Sequence, residues 1–137
     1  MKLSIVGRTY KANIEGMERV AQAAFSYLPA QAGEVELKFV SEKEIVRLNN
    51  VYRGLNKPTD ILSFNISAEP LVGQLFICYT YLVKQAQQVG KTLDDELALL
   101  IVHGILHVYG YDHAKQADEV EMQQIETTIL KREGIVR

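Results

Sequence analysis

The fold of this chain is organised around TLDDELALLIVHGILHVYG (Thr92–Gly110). Thr92 is a favourable N-cap, and the acidic residues that follow Leu93 lie where the helix dipole stabilises negative charge. Leu97–Val102 is apolar on nearly every side of a helix, which is typical of a helix buried in the middle of a domain. Gly110 is suited to the left-handed conformation that ends a helix. We therefore predict one central, buried helix over this stretch.

Hydrophobic spacing on both sides of this helix predicts four strands and four further helices. The strands are predicted at Leu3–Val6, Glu34–Val40, Ile61–Ile66 and Leu71–Tyr79. The helices are predicted at Ala12–Tyr27, after the capping residue Ser41, at Thr80–Val89 and at Gln116–Arg132. The helix after Ser41 has an apolar side of Ile45, Leu48 and Val51, and Tyr52–Pro58 is predicted to be a loop. The expected fold class is α+β, with a mixed sheet of about four strands and about five helices around the central helix.

The composition is that of a single globular domain. The chain has 137 residues, of which 47% are hydrophobic and 23% charged, and its net charge is −2. These values exclude a disordered chain. The lone Cys78 excludes a disulfide scaffold and suits a reducing cytosol. No apolar stretch approaches the roughly 18 residues of a membrane span. We expect one cytoplasmic domain over residues 1–137, without a membrane partner.

Charge is distributed unevenly along the chain. Residues 38–57 carry a net charge of +3, whereas residues 92–126 carry −7. A basic segment is suited to phosphates and an acidic one to a cation. The alternative is that both segments are ordinary solvated faces.

All three histidines fall within HGILHVYGYDH (His103–His113). His103 and His107 are four residues apart, so on a helix they lie one turn apart on the same face and can reach one metal ion. Gly110 lets the chain leave the helix, so that His113 can approach the same ion. Three imidazoles leave one position of a tetrahedral zinc ion open, which is the arrangement of a catalytic site.

The alternative is three unrelated histidines, two in the core and one in a loop. Two buried imidazoles would then each need a separate polar partner, whereas a shared metal satisfies both. In zinc peptidases of the H-E-x-x-H type, the residue after the first histidine is the glutamate that acts as general base. That residue is Gly104 in this chain, which disfavours a peptidase.

A second segment, LNNVYRGLNKPTDILSF (Leu48–Phe64), is polar and irregular at its centre. It offers Arg53 and Lys57, and the planar guanidinium of an arginine can donate two parallel hydrogen bonds to a phosphate. The alternative is a pair of surface cations, with Thr59 and Asp60 as hydrogen bonders of a turn and a strand end.

Together the two segments resemble the YbeY family of metal-dependent endoribonucleases. The signature H-G-x-L-H-L-x-G-Y-D-H appears as HGILHVYGYDH, with Val108 in place of leucine. The block Y-R-x-x-x-K-P-T-D-V-L-S-F appears as YRGLNKPTDILSF, with Ile61 in place of valine. One departure is Gln74, where the family usually has aspartate.

The resemblance implies a zincin-like α+β domain that cleaves single-stranded RNA. The first implied partner is ribosomal RNA, in which the protein would process the 3′ end of the small-subunit RNA. The second is the small ribosomal subunit, on which it would act in ribosome quality control. The residues that match the motifs become the ligands of one Zn²⁺ per chain, namely His103, His107 and His113. Arg53 and His103 become catalytic residues, and Lys57 becomes a substrate-binding residue.

Two other classes of function stay open from the sequence alone. One is a zinc-dependent hydrolase of a peptide or small molecule, which Gly104 and the basic segment disfavour. The other is a non-catalytic ribosome-binding factor with a structural zinc, which a set of three ligands disfavours.

Overall fold

The computed structural model describes residues 1–111 and 116–136. Their helices and strands are β1 (Lys2–Val6), α1 (Ile14–Tyr27), β2 (Glu34–Val40), α2 (Glu42–Arg53), β3 (Ile61–Ala68), β4 (Leu71–Cys78), α3 (Tyr79–Val89), α4 (Leu93–Val108) and α5 (Gln116–Arg132). The predicted α+β class, with a mixed four-stranded sheet and five helices, is confirmed. No helix in this part of the chain is both long enough and apolar enough to cross a membrane.

The strands form one sheet in the order β1-β2-β4-β3. β1, β2 and β4 run parallel, and β3 runs antiparallel to β4. Parallel neighbours need crossover connections, and the helices supply them. β3 is therefore an edge strand, with β4 beside it on one side only.

Helix α4 is the centre of the main hydrophobic core. Its N-cap is Thr92, whose hydroxyl accepts a hydrogen bond from the amide of Asp95 at 3.1 Å. Leu97, Ile101 and Ile105 are at most 1% exposed. The helix packs against α1, α3 and α5 and against β3 and β4. The predicted central, buried helix is confirmed.

Helix α2 lies on the opposite face of the sheet, over a smaller core that includes Ile45, Leu48 and Leu62. Ser41 caps this helix, as predicted, because its hydroxyl accepts from the amide of Glu44. Two expectations for α2 are wrong. Val51 is 61% exposed rather than buried, and Arg53 is the last residue of the helix rather than part of a loop. The helix ends only at Gly54, whose φ of 70° gives the left-handed cap.

Two glycines let α4 approach the sheet closely. A Cβ on Gly104 would lie 2.8 Å from Leu75 Cδ2 and 2.9 Å from Ile61 Cδ1. A Cβ on Gly73, in β4, would lie 2.5 Å and 2.8 Å from the two γ-carbons of Val108. The backbone of α4 is thus close to side chains of the sheet at Gly104. One helical turn later, the Val108 side chain is close to the backbone of β4 at Gly73.

Gly73→Ala should lower the free energy of unfolding by about 1–3 kcal/mol, because the added methyl overpacks the contact with the stiff Val108 side chain. Urea denaturation followed by circular dichroism measures this change. The double variant Gly73→Ala/Val108→Ala should be more stable than the sum of the two single changes predicts, since it removes the clash. Equal unfolding midpoints for Gly73→Ala and the parent would contradict this close packing.

Candidate active site

A pair of histidines lies near the C-terminal end of α4. The Nε2 atoms of His103 and His107 are 3.1 Å apart, and their ring centroids are 4.6 Å apart at an angle of 73°. The helical spacing of four residues brings the two rings together, as the sequence predicts. The two Nε2 atoms are therefore close enough to bind one metal ion together.

A buried carboxylate orients His103 from behind. Glu126, on α5, is 1% exposed, and its Oε2 lies 2.6 Å from His103 Nδ1. When ionised, this carboxylate accepts the hydrogen of Nδ1, and a neutral His103 then presents the lone pair of its Nε2. A hydrogen bond of this kind, from a histidine to a carboxylate, is the usual outer support of a metal-binding imidazole.

Sequence reasoning missed Glu126, although a signal was present. It is an acidic residue on the apolar side of α5, between Met122, Ile125 and Ile129, which are all buried. A charged group in that position needs a buried partner. The partner is 23 residues away in the chain, beyond any helical spacing rule, so the pairing itself required the tertiary structure.

The histidine pair fits a zinc ion. Two nitrogen ligands of a tetrahedral zinc, each bound at about 2.05 Å, are separated by about 3.3 Å. The observed 3.1 Å is close to that value, and the His103–Glu126 hydrogen bond selects the tautomer that a metal requires. The third predicted ligand, His113, lies outside the described residues. Within residues 1–111 and 116–136, no group of three His, Cys, Asp or Glu side chains is placed to hold a metal.

The histidines open into a cleft of about 420 Å³ that follows the beginning of β3. Its lining consists of Arg53, Thr59, Asp60, Ile61, Leu62, Ser63, Phe64, His103 and His107. The structure thus brings Arg53 together with the two histidines, from an element on the other face of the sheet. Lys57 is exposed and does not line this cleft, and its backbone carbonyl accepts a hydrogen bond from Asn49.

Asp60 has a structural role in the wall of the cleft. Its Oδ1 accepts from the amide of Ile61 at 2.8 Å, and its Oδ2 accepts from Gln85 Nε2 at 3.1 Å. Because both oxygens are engaged, the carboxylate secures the beginning of β3 to α3. This agrees with the reading of Asp60 as a hydrogen bonder of the strand end.

The end of α4 is secured in a similar way. Asn65, in β3, donates a hydrogen bond from Nδ2 to the carbonyl of Val108 at 2.8 Å. Tyr109 caps the helix, and burial raises the pKa of its hydroxyl above the ordinary value. The last turn, which carries His107, is therefore fixed to the edge strand.

Gly104 and Gln74 are explained by the faces they occupy. Gly104 faces Ile61, Ser63 and Leu75, where a side chain would collide with the sheet, so this position has no room for the glutamate of a zinc peptidase. Gln74 pairs in register with Phe64 on the sheet face away from α4, and it donates to Glu36 at 3.3 Å. The departure from the family pattern at Gln74 is thus on the other side of the sheet from the histidines.

The α+β fold brings the paired histidines and Arg53 into one cleft. The family model described as Endoribonuclease YbeY matches residues 5–134. Two proteins named Endoribonuclease YbeY are similar to this chain. That of Alteromonas mediterranea is 39% identical over 87% of this chain and 78% of its own length. That of Colwellia psychrerythraea is 38% identical over 84% of this chain and 77% of its own length. The chain belongs to the YbeY family of endoribonucleases.

A solved structure supports the fold. The solution structure of TM1509 from Thermotoga maritima superposes with a TM-score of 0.61, at 24% identity, over 95% of this chain and 90% of that one. At this identity the likeness concerns the fold alone.

Glu126→Ala should lower the free energy of unfolding by about 1–3 kcal/mol, because it leaves the Nδ1–H of His103 without its acceptor. Glu126→Gln should lower it less, since the amide oxygen still accepts. The control is Glu121→Ala, an exposed residue of the same helix, which should change stability by less than about 0.5 kcal/mol. Chemical denaturation of the metal-free proteins measures all three, and equal losses for the two alanine variants would contradict the role of Glu126.

Proposed function

We propose that this chain is a zinc-dependent endoribonuclease that cleaves single-stranded RNA. The observation that carries this proposal is the pair of adjacent imidazoles, of which His103 is oriented by Glu126, opening into the same cleft as Arg53. Membership of the YbeY family supports the nuclease class. The proposed substrate is ribosomal RNA at the 3′ end of the small subunit, met in the cytoplasm on the small ribosomal subunit.

The proposed metal ligands are His103, His107 and His113, with one Zn²⁺ per chain. When bound, zinc supplies a Lewis acid that polarises a phosphoryl oxygen and lowers the pKa of a coordinated water. His103 also transmits the negative charge of Glu126 towards the site through its ring, which makes its Nε2 a stronger electron donor. In this proposal the protein holds the Nε2 atoms of His103 and His107 side by side on one helix, where both can bind the metal.

Arg53 is proposed to bind the scissile phosphate. Its guanidinium can donate two parallel hydrogen bonds to the non-bridging oxygens and stabilise the charge that builds up on them during cleavage. Within residues 1–111 and 116–136 it has no acidic partner, so its charge is available to a substrate. Lys57, on the loop that follows, is proposed to contact a neighbouring phosphate.

Two cleavage routes are compatible with this arrangement, and their products differ. Attack by water leaves a simple phosphate end, whereas attack by the ribose 2′-hydroxyl leaves a 2′,3′-cyclic phosphate. A labelled single-stranded RNA, cut with and without chelator and analysed by mass spectrometry, tests both the proposed activity and its route. Cleavage that persists after complete removal of metal would overturn the zinc-dependent proposal.

His107→Ala should lose the metal, because it removes one of the paired lone pairs from the site. Elemental analysis after gentle purification should find one zinc per chain in the parent and a small fraction of that in the variant. Glu126→Ala should retain zinc with an affinity lowered about 10–100-fold, read by competition with a chromophoric chelator. A His107→Ala protein that retains one zinc per chain would contradict the assignment of His107 as a metal ligand.

Arg53→Ala should retain zinc and the fold but cleave RNA at least about 100-fold more slowly, because it removes a charged donor to the phosphate. Arg53→Lys should recover little, since an ammonium does not reproduce the two parallel hydrogen bonds. The matched control is Arg47→Ala on the same helix, where the guanidinium is already paired with Glu44 at 2.6 Å. Similar rates for the two alanine variants would make Arg53 an ordinary surface charge.

A further inference from the structure

The C-terminal turn of α2 exposes apolar side chains beside the cleft. Val51 is 61% and Tyr52 63% exposed, and Leu55, just after the helix, is 39% exposed. Helical spacing predicts Val51 on the buried side, so its exposure is unexpected. Tyr52 directly precedes Arg53, which lines the cleft. Exposed apolar and aromatic side chains near a cleft are available to a ligand that enters it.

The ring of Tyr52 is supported from one side by the wall of the cleft. Its centroid is 5.1 Å from that of Phe64, at an interplanar angle of 60°. Phe64 in turn contacts Phe76 at 5.9 Å in an edge-to-face arrangement. Phe64 also lines the cleft. Tyr52 is thus an exposed aromatic ring that packs on Phe64, which Phe76 contacts in turn.

The charges around this platform select an anionic occupant. Arg53 is adjacent in sequence, and in the described part of the chain it has no ion pair. Lys57 is exposed on the following loop. Arg47, five residues before Tyr52, is paired with Glu44, and its hydrogen bond lowers the pKa of the Glu44 carboxyl. Among these three cations, Arg53 is therefore the one whose charge lies at the cleft.

We propose that Tyr52 is the stacking platform of a base-binding subsite at the mouth of this cleft. An unpaired nucleobase next to the phosphate bound by Arg53 stacks on the exposed face of the Tyr52 ring. The apolar surface and the cation then meet the two parts of one nucleotide, its base and its phosphate. This proposal rests on the proposed function, because it assumes an RNA substrate in the cleft.

The subsite accounts for a preference for single strands. In a duplex both faces of each base are already stacked, so a base must leave the helix before it can lie on Tyr52. In a single strand the bases are free to stack, and stacking on an aromatic ring tolerates any base because every base has a π-face. The subsite therefore discriminates by strandedness rather than by sequence.

The absence of tryptophan from this chain provides a direct probe. Tyr52→Trp introduces the only tryptophan, at the proposed platform. Stopped-flow mixing with a short single-stranded RNA should quench its fluorescence before cleavage occurs, and a duplex of the same sequence should not. The control is Tyr27→Trp, at the end of α1, where the native ring is 41% exposed and no quenching is expected. An unquenched Tyr52→Trp, as a protein-docking surface would give, overturns the proposal.

Steady-state kinetics supply the second test. Tyr52→Leu should raise KM for single-stranded RNA about tenfold, with little change in kcat, whereas Tyr52→Phe should behave as the parent. A series of RNAs should each carry one abasic nucleotide, at a different position in each RNA. One of these positions should raise the KM of the parent by the same factor. With the RNA that is abasic at that position, Tyr52→Leu should have the same KM as the parent.

The outcomes separate this proposal from the proposed function. If the parent cleaves RNA but Tyr52→Leu has the parent's KM at every abasic position, the subsite is wrong and the nuclease activity stands. If the parent cleaves no RNA but Tyr52→Trp is quenched by single strands, the subsite stands on a protein that binds RNA without cutting it. Selective quenching together with the raised KM supports both.

Discussion

The close approach of α4 to the sheet is the constraint on which the rest of the structure depends. Gly73 and Gly104 remove the side chains that would keep helix and sheet apart. As a result α4 is buried by the sheet on one side and by α1, α3 and α5 on the others. Any polar side chain that the helix directs inward must then find a partner, because an unpaired polar group in such a core is costly.

The polar residues of α4 meet this requirement in two places, and both bear on the cleft. Near the beginning of the helix, the buried Glu96 accepts from Gln85, which also donates to Asp60 in the cleft wall. Near its end, His103 is paired with the buried Glu126. The same burial that stabilises the domain thus orders the walls of the cleft. A rigid first set of side chains held by a second set is what a catalytic site requires.

Much of this architecture could be predicted from the sequence, because its signals are local. The bounds of β2 and α5, the Thr92 cap and the left-handed Gly110 follow from periodicity and end signals. The convergence of His103 and His107 follows from a spacing of four residues. What could not be predicted depends on contacts between distant segments. Glu126 is the main example, since its role arises only when α5 packs beside α4.

The errors in α2 have a local cause of another kind. The polar stretch after Val51 resembles a loop, and Gly54 marks an end, yet a glycine in the left-handed conformation closes a helix after the preceding residue. The helix therefore continues through Arg53. Val51, on this helix, is exposed to solvent and is not part of the hydrophobic core beneath α2. An apolar residue near the end of a surface helix can lie in solvent, because much of any protein surface is apolar.

Edge strand β3 explains how one cleft draws on both faces of the sheet. Successive residues of a strand point to opposite faces, so Ser63 faces α4 while Phe64 faces α2. With no strand beyond it in the described sheet, β3 lets Arg53 reach round the edge to the histidine side. In the proposed complex the phosphate lies on the histidine side and the base on the Tyr52 side, with the strand between them. A nucleotide whose base is still paired cannot place its phosphate and its base on opposite sides of β3 in this way. In this proposal stacking on Tyr52 selects single strands, and the position of β3 at the sheet edge lets the same nucleotide also reach the histidine side.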